Sequence, residues 1–157
     1  MSSETTSAQI SQITDYLYIS AWPRGKHIEQ IVSLGVHLVL SMHLLPPVKL
    51  LGHARFRLLW LPTFDNPRFP ISIKTLTKGV KAALPTTQNG QAVLTHCKEG
   101  KHRSVAQAAC VLIGMDYTAD DAMRLIKEKR AVADPYAEYI QVRIRKFESQ
   151  WIEHKNC

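Results

Sequence analysis

A segment with the residues of a buried strand, Ala92-Val93-Leu94-Thr95-His96, runs straight into Cys97-Lys98-Glu99-Gly100-Lys101-His102-Arg103. Helical spacing of apolar residues starts immediately afterwards, at Ser104, with Val105, Ala108, Ala109 and Leu112, and ends at Gly114. A strand, a short glycine-containing loop and a helix in direct succession confine the chain to an α/β architecture. In open sheets of that class, ligands bind just beyond the carboxyl ends of the strands.

The other segments fit the same plan. Tyr16-Leu17-Tyr18-Ile19 reads as a short first strand, broken by Trp22-Pro23-Arg24-Gly25. Ile28, Ile31, Val32 and Leu34 mark one face of a helix that stops at Gly35, and Val36 to Leu40 forms a buried strand. Leu44-Leu45-Pro46-Pro47 is irregular, Phe56 to Leu61 is a third strand, and Thr63 to Pro70 is a loop. Ile73, Leu76, Val80 and Leu84 predict a helix from about Ser72, turned at Gln88-Asn89-Gly90. Thr118 and Asp121 have the spacing of a capping box. Asp134-Pro135 supplies a cap and a first-turn proline for a last helix carrying Ile140, Ile144, Phe147 and Trp151. Alternating strands and helices predict one α/β domain: a central, mostly parallel sheet of four to five strands, flanked by helices on both faces. Residues 1–9, rich in Ser and Thr, are expected to be a flexible tail, and residues 10–157 the domain.

The loop has the makings of an anion cradle. Its backbone N–H groups can curl into a nest, backed by the positive end of the following helix. Gly100 gives the backbone freedom for that curl, and Arg103 can close it with a two-pronged grip on phosphate. Lys98, Glu99, Lys101 and His102 complete the candidate binding loop. A cysteine in such surroundings is stabilised as thiolate and becomes a nucleophile at neutral pH. His96 orients the loop or tunes the thiolate.

Residues 96–104 match in full the signature His-Cys, five residues, Arg, then Ser or Thr, and so resemble the cysteine-based protein tyrosine phosphatase superfamily. Asp15-Tyr16-Leu17-Tyr18-Ile19 is similar to the opening strand of dual-specificity phosphatases, and residues 130–135 to the segment before their last helix. The resemblance implies a phosphocysteine intermediate on Cys97, phosphate binding by Arg103, and help from Ser104 in breaking the intermediate down. Classical tyrosine phosphatases fit less well, because the chain has no Trp-Pro-Asp loop.

Expelling an alkoxide or phenoxide needs a proton donor. Asp65, in Pro62-Thr63-Phe64-Asp65-Asn66-Pro67, lies 32 residues before the nucleophile, on a loop that should leave the same sheet edge. Dual-specificity phosphatases similar to this chain carry their acid in such a loop. Asp116, Asp120 and Asp121 read as turn and capping residues.

Two substrate readings follow. The first is a dual-specificity phosphatase acting on phosphorylated proteins. The second, prompted by Lys98, Lys101 and His102, is a phosphatase for inositol phosphates or phosphoinositides, since Cys-Lys-x-Gly-Lys-x-Arg is similar to tensin-type and atypical inositol phosphate phosphatases. Where those have Thr-Gly after the Arg, this chain has Ser104-Val105. A third reading is an inactive phosphate-binding module, against which the joint presence of Cys97, Arg103 and Asp65 counts. The net charge of +7 favours an anionic partner, yet no interleaved aromatic and basic stripe of the kind that binds single-stranded RNA is present, so no nucleic acid is expected. Three cysteines, Cys97, Cys110 and Cys157, form neither a disulfide framework nor a CxxC zinc motif, so no metal or cofactor is expected and a reducing cytoplasm is the expected setting. Cys110 reads as a core residue rather than a resolving thiol. No apolar run approaches the roughly 20 residues of a membrane span.

Overall fold

The computed structural model describes residues 9–48, 50 and 55–156; the expected tail lies, apart from Gln9, outside the described residues, as does Cys157. Five strands form one sheet: β1 (Ser11–Thr14), β2 (Leu17–Ser20), β3 (Val36–Ser41), β4 (Arg57–Trp60) and β5 (Ala92–His96), in the order β1-β2-β5-β3-β4. β1 pairs with β2 antiparallel, and the other three pairings are parallel. β5 therefore lies at the centre with all five residues buried, as its continuous strand pattern requires.

Register and strand alternation divide the core in two. Leu17 pairs with Val93, which pairs with Leu38, and all three face one side. Tyr18, Leu94 and Val39 form the next row and face the other. The side of Tyr18 is covered by one short helix, α1 (Ile28–Ser33), with Ile31 fully buried. The other side carries α2 (Ile73–Gln88), α3 (Arg103–Gly114), α4 (Ala119–Lys129) and α5 (Glu138–Lys155). Helices thus cover both faces, but unequally. That inequality explains the sequence of α3, in which every residue from Arg103 to Ile113 is buried: it is sandwiched between sheet and outer helices.

Local chemistry sets the boundaries. Gly35, at φ +80, lets the chain leave α1 and enter β3. Ser72 caps α2 by accepting the Thr75 N–H at 3.1 Å, and Thr118 caps α4 by accepting that of Asp121 at 3.1 Å. α2 continues through Pro85 to Gln88. α2 and α3 approach closely at Gly79, where a Cβ would lie 2.3 Å from the Gln107 carboxamide, whose nitrogen donates to the Leu76 carbonyl at 3.1 Å.

Two expectations need correction. The strand at Tyr16–Ile19 is the second, because Ser11–Thr14 forms an edge strand before it; only Ile13 of that strand is buried, too little pattern to read. Asp134 does not cap the last helix. Its carboxylate accepts the Ala137 N–H at 3.1 Å within a turn, and Ala137 is the N-cap of α5.

The inward stripe of α5, Ile140, Ile144 and Phe147, docks on α3, and Phe147 stacks on Trp151 at 5.5 Å. Phe147→Ala should cost about 3–5 kcal/mol of unfolding free energy through the cavity left behind. Urea denaturation monitored by circular dichroism measures it; a loss below about 1 kcal/mol would show that α5 is not integral to the core.

Candidate active site

β2, β5, β3 and β4 run parallel, so the segments that follow Ser20, His96, Ser41 and Trp60 all emerge at one edge. The loop 97–102 is in the middle, between β5 and the first residue of α3.

Its shape is imposed from outside. The carbonyl of Lys98 accepts the Trp22 N–H at 3.0 Å, and that of Lys101 accepts the Asp134 N–H at 2.9 Å. Between them, the carbonyls of Glu99 and Gly100 accept from Arg130, at 3.1 Å to Nη2 and 2.8 Å to Nε. Four successive carbonyls are thus turned outward. Gly100, at φ +66, is closed in so tightly that a Cβ would stand 2.6 Å from both Arg130 Nη2 and the Ser20 carbonyl. Arg130 is itself 3% exposed and also donates to the Gln9 carbonyl and to Ser11 Oγ.

With the carbonyls outside, N–H groups are left for the interior. Cys97 is buried beneath the loop, its Sγ 3.2 Å from the Ser104 hydroxyl. Burial pushes the thiol up, but the Ser104 hydroxyl and N–H, the charge of Arg103 and the Gly100 N–H together outweigh it, so Cys97 lies below the ordinary thiol value. Arg103 opens α3 and is buried; its Nη1 donates to the Thr63 carbonyl at 2.9 Å, while its Nε is buried with no partner. His96 is fully buried beside the edge of Trp22; burial, with the charges of His43 and Arg103, holds it down at about 4. It is therefore neutral above pH 5, which suits a supporting part.

Asp65 reaches the same place from the loop after β4. One carboxylate oxygen accepts from the Tyr139 hydroxyl at 2.5 Å, the other from His102 Nδ1 at 3.1 Å. The opposite nitrogen of His102 is 3.8 Å from Asp134, so the ring lies between two carboxylates. Burial raises Asp65, but the hydrogen bonds from Tyr139 and His102 and the charge of Arg103 prevail and hold it below the ordinary carboxylate value. The raised value of Tyr139, due to burial first and to Asp65 next, has the same origin. Asp65, Cys97, Arg103 and Ser104, expected together, are together. Lys98, Glu99 and Lys101 have exposed side chains at the rim. Cys110 lies fully buried in α3, its thiol pushed up by burial.

Tyr139 and Arg130 were not assigned roles by the sequence. Tyr139 falls in the first turn of α5 with no spacing that links it to residue 65. Arg130 ends α4 in a stretch already rich in Lys and Arg, so nothing marked its burial.

This fold is that of dual-specificity phosphatases, and the resemblance to the cysteine-based protein tyrosine phosphatase superfamily holds for the fold as well as for residues 96–104. Human DUSP28 superposes with a TM-score of 0.81 at 22% identity, over 92% of this chain and 95% of that one. PTPMT1 in complex with PI(5)P gives a TM-score of 0.80 at 22% identity, over 94% of this chain and 99% of that one. In sequence, the chain is 31% identical over 106 residues to the phosphatidylglycerophosphate phosphatase PTPMT2 of Arabidopsis thaliana, covering 65% of this chain and 46% of the relative. It is 36% identical over 72 residues to the human phosphatidylglycerophosphatase and protein-tyrosine phosphatase 1, covering 45% and 31%. The chain thus spans less than half the length of the curated relatives it matches. No family model matches it.

Ser104→Ala removes the hydroxyl that lies 3.2 Å from the Cys97 sulfur. A hydrogen bond to a charged group is worth about 1.5–3 kcal/mol, so the thiol should rise by about one to two units. The pH dependence of iodoacetamide alkylation, which follows the thiolate, reads this directly. An unchanged midpoint would show that Ser104 does not stabilise the sulfur anion.

Proposed function

We propose that the chain is a metal-independent phosphomonoester hydrolase in which Cys97 attacks phosphorus and carries the phosphoryl group as a phosphocysteine. The observation that supports this best is the joint state of Cys97 and Arg103. A buried thiol is held low by donors and by the charge of Arg103, a buried guanidinium whose Nε has no hydrogen-bond partner. Both are what an equatorial phosphate oxygen and an in-line nucleophile require.

The proposed steps use the chain's own groups. Loop N–H groups and Arg103 bind the phosphate dianion. As the thiolate forms the S–P bond, the P–O bond to the leaving group breaks, and Asp65 donates a proton to that oxygen. In the free protein Asp65 is held low by its two donors; a bound dianion nearby raises it. Water then attacks phosphorus, Asp65 takes its proton, and the thiolate leaves, assisted by the Ser104 hydroxyl at 3.2 Å. Tyr139 and His102 are positioning residues, since each acts through Asp65.

Of the two substrate classes, phosphorylated headgroups of lipids or inositols have the more specific support. Both curated relatives are named for phosphatidylglycerophosphate, and one structural neighbour was solved with PI(5)P. Lys98 and Lys101 at the rim have no carboxylate partner among the described residues. The protein-phosphatase reading keeps support from the dual-specificity fold and from the second half of the human relative's name.

Phosphate release from p-nitrophenyl phosphate, phosphotyrosine peptides, inositol polyphosphates and phosphatidylglycerophosphate tests all of this. Cys97→Ser should abolish turnover of every substrate, and EDTA should leave the native activity intact. Arg103→Lys should lower kcat/KM about 10²-fold or more, because an ammonium cannot make the two-pronged grip. Asp65→Asn should slow alkyl phosphates by about 10²–10⁴ and p-nitrophenyl phosphate far less. Substantial turnover by the serine variant removes Cys97 from the nucleophile's place.

Tyr139→Phe deletes one donor to the Asp65 carboxylate, so its carboxyl should rise. The acid must be protonated to act, so the alkaline limb of the kcat profile should move to higher pH, by about a unit. Movement to lower pH, or none, would contradict the positioning of Asp65 by Tyr139.

A further inference from the structure

Twelve large apolar side chains are exposed among the described residues, and they are not scattered evenly. Leu44, Leu45 and Val48, at 42%, 63% and 64% exposure, stand on the segment after β3; Phe64 and Phe69, at 48% and 56%, stand on the segment after β4. The two rings pack on each other at 5.1 Å, so they form one exposed apolar knob beside Asp65. Both segments leave the sheet at the edge from which the phosphate loop emerges. Val132 and Tyr136, also exposed, lie on the stretch that Asp134 ties to the Lys101 carbonyl. The apolar groups therefore ring the cradle.

Cations are interleaved with them. Arg24, Lys98 and Leu45 border a single depression with Trp22 and His43. Lys26, Lys101 and Arg68 are exposed on neighbouring segments. None of these five Lys and Arg side chains has a carboxylate within ion-pair distance among the described residues; the same holds for Lys74, Lys78, Lys81 and Lys146 on α2 and α5, so what marks this face is that its cations stand among exposed apolar side chains. Of the carboxylates at this edge, Asp65 and Asp134 face His102, while Glu99 and Glu138, the latter bordering a depression with Pro67 and Pro70, are exposed. Exposed aliphatic and aromatic groups set among unpaired cations are the composition of a surface that enters an anionic lipid interface. A protein partner would meet the same apolar groups, but the unpaired cations favour a surface that is anionic throughout.

We propose that this face seats the protein on an anionic lipid bilayer. Leu44, Leu45, Val48, Phe64 and Phe69 enter the headgroup region, and the five cations meet lipid phosphates. The loop at Cys97 then lies level with the headgroups, so its phosphomonoester would be presented by the membrane. The substrate part of that statement rests on the phosphomonoesterase reading above; the docking itself does not.

Vesicle co-sedimentation separates the two, because it needs no catalysis. The wild-type chain should sediment with vesicles of phosphatidylcholine and phosphatidylglycerol at least about tenfold more tightly than with phosphatidylcholine alone. Half-molar salt should weaken that binding. Leu45→Ser with Phe69→Ser, which leave the net charge unchanged, should weaken it at least about tenfold, while circular dichroism and the melting temperature show a folded protein; if that pair unfolds, Leu45→Gln with Phe69→Gln serves in its place. No sedimentation with anionic vesicles overturns the proposal whatever the enzyme's activity. Sedimentation untouched by the apolar variants overturns it too, since adsorption would then be by charge alone. Lipid-free dimers in sedimentation velocity that vanish in the same variants would assign the face to self-association instead. Vesicle binding without phosphate release from any substrate would leave the docking standing and remove the phosphomonoesterase reading.

Discussion

One guanidinium carries a disproportionate share of this architecture. A carbonyl that turns inward in a phosphate loop repels an anion, so a loop of this length works only if its carbonyls are held outside. Arg130 does that for the two central ones, and donates at the same time to Gln9 and Ser11 at the sheet edge. Its own burial is tolerable because acceptors surround it; a guanidinium there without them would be costly to bury. The low thiol, the inward N–H groups and the glycine at residue 100 all presuppose this arrangement. The site thus depends on a residue more than 25 positions beyond the loop it shapes.

A second dependence links phosphate and acid. Arg103 donates to the carbonyl of Thr63, two residues before Asp65, while His102, its neighbour, donates to Asp65 itself. The loop that would bind phosphate therefore also holds the loop that would deliver the proton. Tyr139 adds a tether from α5, so Asp65, the proposed acid, is held from two elements. Fixing it in advance removes an entropic cost from the chemical step.

How much of this was visible in the sequence varied with the range of the interactions. β5, the loop and α3 were legible, because a continuous buried strand, a glycine and a helix made mostly of small and apolar residues are each written in adjacent residues. Thr118 was legible as a cap because capping acts over three positions, and Ser72 was legible as the start of a helix. Asp65 was singled out by the chemistry a leaving group needs, together with its proline-bounded loop after a strand and its spacing of 32 residues to Cys97. What stayed hidden depends mostly on tertiary contact: a polar edge strand with only Ile13 buried, and Tyr139 reaching residue 65; the exception is Asp134, whose local bond closes the turn before α5 instead of capping it. Arg130 looked like one more surface cation, since charge alone does not announce burial.

The meeting of Gly79 with Gln107 has a consequence of its own. α2 begins at Ile73, on the segment that follows Asp65, and α3 begins at Arg103, so the spacing of those helices is set about one turn from the buried guanidinium. A missing side chain on one helix and an amide pinned to Leu76 on the other fix that separation, much as a spacer fixes the gap between two jaws. Any side chain at residue 79 would act as a shim. It would have to displace the Gln107 carboxamide, four residues after Arg103, and with it the hydrogen bond that joins the two helices.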